Sequence, residues 1–567
     1  MCVETRATFA WSPGPILGSR IIKAAFRDGW FSLVLKGLKR GAEKRRTLMT
    51  RHTPKDLAER NLQAKIQQRE FYAQLEDLLK RHQPIDYAPF AAERLRQAFE
   101  DLDKDNGLKF CQTPAHRILH SIEANCAFAR GQNNDKVDIA RLGRIMNVYH
   151  EHCDPLQLGI LEDCVESHGD PQLVFLIMWR EQMELQIRYY RDDLARTWQL
   201  FVSDEPLPKT LQWFATHNAL TFADWIKVCW AVHAAMHKYR GGCFMREFAS
   251  KSPLFKGNPE VVDAFFRLSS LTPREVGERF KGEVKSIEPQ FHCLIRSVFL
   301  EYPLLDFGDG RMLCPHPYLV LRHSAEGLYR LARDAPDFGA EFGRSFQQYV
   351  GKVLGCLRSK QHMFGGKILE RLSPNKSCDF LVELPDVILL VECKATSMNS
   401  KILIEKTLVN DASTAKVARA LVQLYTTARD VGSGLFSDLG VDAKKPVFGI
   451  VATFGVLPVA NSDWYYDRVF MRRAKDALVK PIYPSVNLVH RPVVLSVATL
   501  ERLVVYLNSS HASFRALYED KAGKPYSQVG DWDVYLGSRL GELGSSVEQL
   551  AFVDEQGQQF LQSMRGG

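Results

Sequence analysis

The chain has 567 residues, a formal net charge of +8 and 46% hydrophobic residues, enough for a packed core and, on a soft prior, for about three domains. No apolar run approaches the ~20 residues that a membrane-spanning helix needs. The 12 cysteines include no C-x-x-C pair, which argues against a zinc ribbon, and with no clear secretory signal they read as reduced thiols in a cytoplasmic protein.

The charge is unevenly spread. Residues 1–60 hold 13 Lys and Arg against 5 Asp and Glu, and residues 61–340 hold 34 against 38. Residues 341–510 hold 22 against 15, and residues 511–567 hold 5 against 8. An acidic surface is a poor platform for polyphosphate, whose binding comes mostly from Lys and Arg contacts. Residues 61–340 are therefore expected to meet a protein partner or trigger, and residues 341–510 to hold most of any nucleic-acid affinity.

In chain order, residues 1–48 form a basic extension. Ile21 to Arg40 is partly amphipathic, which fits a targeting peptide or membrane-surface helix. Glu4, Asp28 and Glu43 and the lack of a clean apolar stretch weaken both, and an extension upstream of a start at Met49 is the favoured reading. Residues 49–270 have helical periodicity over Asp56–Lys80 (ended by Pro84), Lys136–Tyr149, Pro171–Trp198 and Phe222–Tyr239. His116 with His120, and His233 with His237, have the i,i+4 spacing that can grip a metal, and His150 and His152 lie close together. None has an obvious third ligand, and packing histidines are expected. Residues 271–337 read as a mixed connecting segment. A strand, the Gly308-Asp309-Gly310 turn and a second strand are closed by Pro315 and Pro317, and a helix runs from about His323 to Ala332. No P-loop, dinucleotide fingerprint, G-x-S-x-G or internal repeat is present.

The stretch Ser377 to Lys394 carries the most chemistry. It reads as two strands joined at Pro385-Asp386. Val387 to Val391 is a continuous apolar run, as in a strand buried on both faces. Side chains alternate along a strand, so Glu392 and Lys394 share a face with Leu390, opposite Leu389, Val391 and Cys393. Folding symmetrically about the turn puts Asp379 directly across from Glu392. Like charges facing one another destabilise a sheet, and a divalent cation is the usual compensation.

Asp379, Glu392 and Lys394 resemble the core motif of the PD-(D/E)xK nuclease superfamily, the restriction-endonuclease-like fold. The helical stripe Phe342–Leu354 sits where that family carries its first core helix. Ala418–Tyr425 resembles the helix after the catalytic strand, with Gln423 as a functional residue or a solvent-facing one. Strand-like runs follow at Val447–Phe454 and Pro492–Ala498. The resemblance implies the order helix-strand-strand-strand-helix-strand over residues 338–510. It departs from the family pattern in two places: Cys378 replaces the Pro before the acid, and Gln347 holds the place of a first-helix Glu, with Glu341 six residues earlier.

The expected fold is thus α+β and multidomain: a helix-rich N-terminal region, then an α/β restriction-endonuclease-like nuclease domain with a central mixed sheet, then a polar, weakly patterned tail over 511–567. The resemblance implies metal-dependent hydrolysis of nucleic-acid phosphodiesters, in bacterial defence or nucleic-acid processing. The alternative is a non-catalytic nucleic-acid-binding or sensor protein on the same fold. Mg²⁺ takes one or two carboxylates plus other oxygens. Asp379, Glu392 and the backbone carbonyl of Cys393 are the candidate ligands for Mg²⁺ or Mn²⁺. Lys394 would orient the attacking water and hold the scissile phosphate, and Gln423 would position water or substrate. Cys378 and Cys393 read as buried core residues. Arg468, Arg472, Arg473 and Lys475, on a helix with a basic face, are the candidate phosphate contacts or a solvated surface.

Overall fold

A computed structural model describes residues 54–103, 115–130, 137–153, 191–238, 243–252, 255, 258–287, 295–397, 412–457, 460–461, 465–477, 491–523, 532–544 and 547–565. The N-terminal extension expected over 1–48 lies outside the described residues, as does most of the helix expected over Pro171–Trp198.

Helices Pro54–Leu79, Pro84–Asp103, Ala115–Phe128 and Ile139–Cys153 pack around Phe71, Leu75, Leu95, Leu119, Ile122 and Ile145. Pro84 does more than end the first helix. It is the first residue of the second, where a missing N–H costs nothing. Helix α1 (Arg191–Phe201) and helices Pro208–Asn218 and Phe222–Lys238 follow.

A small mixed sheet comes next. Its strands are β1 (Cys243–Met245), β2 (Ser270–Leu271), β3 (Leu304–Asp306) and β4 (Arg311–Leu313), in the order β1-β4-β3-β2. The β3–β4 hairpin turns where the sequence expects it. Gly308 and Gly310 adopt φ of +82° and +88°, a region that glycine enters without steric penalty. The expected helix near His323 begins earlier, at Pro317. There the proline fills the first helical position and the His316 ring accepts from the Tyr318 N–H, so a residue expected to close the hairpin opens a helix instead.

The second sheet also mixes directions. Strands β5 (His362–Gly365), β6 (Phe380–Glu383), β7 (Ile388–Lys394), β8 (Val447–Thr453) and β9 (Val493–Ser496) lie in sequence order. The β5–β6 and β6–β7 pairs are antiparallel, and β7–β8 and β8–β9 are parallel. Helix α2 (Phe338–Gly355) precedes β5, helix α3 (Ala412–Gly432) connects β7 to β8, helix α4 (Met471–Ala477) lies between β8 and β9, and helix α5 (Val497–Ser510) follows β9. Parallel neighbours need such crossovers.

Alternation divides the sheet residues between two cores. Val382, Leu389, Val391, Ile450 and Leu495 join one apolar cluster with Phe346 and Val350 of α2 and Leu500 and Val504 of α5. Leu381, Ile388, Leu390, Val451 and Val494 join the other, with Val417, Leu421 and Leu424 of α3. The first cluster continues into the N-terminal helices and the C-terminal ones.

The stretch expected as a weakly patterned tail is helical over Phe514–Gly523, Trp532–Leu543 and α6 (Ala551–Arg565). Phe514, Leu517, Trp532, Leu536, Leu540, Val553 and Phe560 are buried. Their spacing is helical, but the intervening Gly, Ser and Asp residues dilute it. Helix α6 packs on α1, with Phe560 edge-on to Trp198 at a ring separation of 5.3 Å.

Polar contacts fasten α2 to the N-terminal helices. Glu341 accepts from the backbone N–H groups of Lys209 (3.2 Å) and Thr210 (2.9 Å), at the start of a helix that lacks a side-chain cap of its own. Ser345 donates to the Leu200 carbonyl at 3.0 Å. Arg196 grips Glu501 of α5 through two nitrogens, each at 2.6 Å, and Tyr349 donates to the same carboxylate at 2.8 Å.

Candidate active site

The β6–β7 ladder pairs Phe380 with Val391 and Leu381 with Leu390. One step outward, Asp379 lies opposite Glu392. The Asp379 N–H donates to Glu392 Oε2 at 3.1 Å, and the Cys393 N–H donates to Asp379 Oδ2 at 2.7 Å. Two carboxylates thus meet where both strands leave the core. Gly366, just beyond β5, packs against this strand end. Its N–H reaches the Asp379 carbonyl at 2.7 Å, and a Cβ there would stand 3.0 Å from the Cys378 carbonyl oxygen.

Lys394 lies on the same face as Glu392 and forms a tight ion pair with Glu392 Oε1. It also donates to Gln423 Oε1 at 3.1 Å. Gln423 is held in turn by the Ser377 carbonyl at 3.3 Å. Gln347 of α2 donates to Asp379 Oδ1 at 2.7 Å. Asp379, Glu392, Lys394 and Gln423 are therefore gathered in one place, and Gln347 joins them. Glu341 does not; it is spent on capping the Pro208–Asn218 helix.

Burial dominates the electrostatics. It raises the Glu392 carboxyl to about 7, helped by the neighbouring Asp379 charge and opposed by Lys394. Asp379 is raised as well, chiefly by burial and against the Cys393 N–H and the Lys394 and Lys376 charges. Lys376, exposed and three residues before Asp379, was not singled out in the sequence. Its only sequence signal is its place on the approach to the acid. Burial pushes the thiols of Cys378 and Cys393 far up, as befits core residues rather than nucleophiles.

Two close carboxylates are a donor set that suits a hard divalent cation, and one or two carboxylates plus waters suffice for Mg²⁺. No group of three or more His, Cys, Asp or Glu able to hold a metal occurs among the described residues. His116 bonds the Ile295 carbonyl (2.6 Å), His120 the Tyr149 hydroxyl, and His233 the Pro317 carbonyl (3.3 Å), so these histidines have packing roles. The His237 side chain lies outside the described residues.

The basic stretch at Arg468–Lys475 spans the π turn Tyr465–Phe470 and α4. It packs on α3, with Val469, Phe470 and Ala474 buried, so it lies on the Glu392 face of the sheet. Arg472 is exposed and Arg473 half-buried. The side chains of Arg468 and Lys475 lie outside the described residues.

No family model, curated protein or solved structure matches the chain. No helix among the described residues is long and apolar enough to cross a membrane.

Proposed function

We propose that the chain is a metal-dependent nuclease of the PD-(D/E)xK type, with its catalytic domain on the five-stranded sheet. The observation that carries the reading is the meeting of Asp379 with Glu392 across β6 and β7, with Lys394 on the same face. The element order α2-β5-β6-β7-α3-β8, with the short helix Gly366–Leu372 inserted between β5 and β6, supports it, being otherwise the order the sequence resemblance implies.

In this reading Asp379, Glu392 and the Cys393 carbonyl hold one Mg²⁺ or Mn²⁺. Such an ion, when bound, lowers the pKa of a water and neutralises charge on phosphoryl oxygens. Lys394 orients the attacking water and holds a phosphate oxygen, a task suited to a compact cation on a flexible stem. Gln423 fixes the Lys394 ammonium. Gln347 fixes the Asp379 carboxylate. The acidic N-terminal region serves a protein partner or trigger, and basic residues around the five-stranded sheet meet the polyanion.

One observation favours the non-catalytic alternative: both oxygens of Asp379 and both of Glu392 already accept from protein donors. Cleavage assays separate the two. The parent should cut DNA or RNA with Mg²⁺, and Lys394→Ala should lose cutting while still unfolding in one cooperative transition, at a lower temperature because Glu392 loses its buried partner. A Lys394→Ala protein that cuts as fast as the parent would refute the assigned role.

A further inference from the structure

The short helix Gly366–Leu372 lies between β5 and β6, and its first residue is bonded to the Asp379 carbonyl. Only Leu369 of this helix is buried. Ile368 and Leu372, one turn apart, are 42% and 37% exposed, two of the few large apolar side chains so exposed among the described residues. Lys367 and Arg371 are also one turn apart and exposed, and Lys376 stands exposed in the loop that leads on to Asp379. None of these three cations forms an ion pair among the described residues. Glu370 is the one exposed acid on the helix.

Leu369 is the one side chain that this helix buries in the core. A structural helix would turn Ile368 and Leu372 inward, and a merely solubilising surface would balance its charges. Three cations with no ion pair among the described residues flank the approach to a pair of carboxylates, and the nearest in sequence, Lys376, already acts on both of their charges. That suits a ligand that brings its own negative charge in a repeating array, with apolar surface between the charges. Nucleic acid fits: phosphates take Lys and Arg, and exposed aliphatic side chains pack against sugars and base edges or wedge into a groove.

We infer that the helix Gly366–Leu372, with Lys376, is the docking element that lays a nucleic-acid backbone across the Asp379–Glu392 pair. Lys367, Arg371 and Lys376 contact phosphates, and Ile368 and Leu372 contact the groove or the unstacked bases. This rests on the nuclease reading and adds to it the place where substrate binds, on the β5–β6 side, apart from α4.

The test is binding of the full chain to a fluorescein-labelled DNA duplex and to its RNA counterpart, with a chelator present so that nothing is cut, over a range of salt. Lys367→Gln/Arg371→Gln should weaken binding and reduce the slope of log affinity against log salt by about two, one per lost phosphate contact. Lys281→Gln/Lys285→Gln, which removes the same charge from the exposed side of helix Pro273–Ser286, should leave the slope unchanged. Ile368→Ser/Leu372→Ser should weaken binding with no change of slope. Parent-like binding by the Lys367/Arg371 variant, or an equal loss in the control, overturns the docking helix while leaving the nuclease reading standing. A parent that binds neither probe overturns both.

Discussion

Gln347 donates to Asp379 at 2.7 Å, and two residues along the same helix Tyr349 donates to Glu501 at 2.8 Å. Helix α2 therefore touches the carboxylate pair on one flank and, through Glu501, the Arg196 side chain of α1 on another. Partners that orient a metal ligand are commonly worth 10–100-fold in metal affinity or activity. Gln347→Leu should weaken Mn²⁺ binding by about that factor, read by calorimetry, while Asp379 remains present.

Removing a ligand should do more. Asp379→Ala leaves a single carboxylate, Glu392, that Lys394 already neutralises, so the ion should be lost. Ligand binding to the folded state stabilises it by about 2.7 kcal/mol at a hundred times the dissociation constant. The parent's melting temperature should rise with Mg²⁺ or Mn²⁺, and that of Asp379→Ala should not. An equal rise in both would place the ion elsewhere.

The Arg196–Glu501 pair is largely buried, with 11% and 9% of the side chains exposed. Removing one partner of such a pair leaves an uncompensated charge and costs about 3–5 kcal/mol. Urea unfolding should show that loss for Arg196→Met. The double variant Arg196→Met/Glu501→Leu should recover part of it, because two apolar groups need no counter-charge.

Glu123 supplies a pH dependence. It is buried and accepts from Ser297 Oγ and the Val298 N–H, and burial raises its carboxyl from 4.5 to about 8. Between those values the unfolded chain releases a proton that the folded protein keeps. The stabilisation is complete below the unfolded value and is lost as pH rises towards the folded one, at about 1.4 kcal/mol per unit. Glu123→Gln cannot titrate, so its stability relative to the parent should rise between about pH 5 and pH 8. A constant difference in urea unfolding across that range would show that Glu123 is ionised throughout.

The site was legible because it depends on alternation and on one symmetric turn. Those two rules place Asp379 against Glu392 and put Lys394 on the Glu392 face, and the ladder follows them. The helix bearing Gln423 was legible from its apolar stripe. Contacts between distant elements were not: nothing local shows that Glu341 caps a helix more than a hundred residues earlier, or that Arg196 meets Glu501. The C-terminal helices were missed because Phe514, Trp532 and Phe560 are sparse among polar residues and bury only against partners such as Trp198. The role of Pro317 was misjudged because a proline that ends a strand and one that starts a helix look alike without the His316 cap.

The most direct measurement is cleavage by the full chain, with DNA and RNA substrates, in Mg²⁺ and in chelator, beside Glu392→Gln. That substitution keeps the side-chain shape and removes the charge that the ion needs. The account predicts that the parent cuts in Mg²⁺, stops in chelator, and that Glu392→Gln does not cut in either. Cutting by Glu392→Gln at the parent's rate, or by the parent with the metal removed, would contradict it.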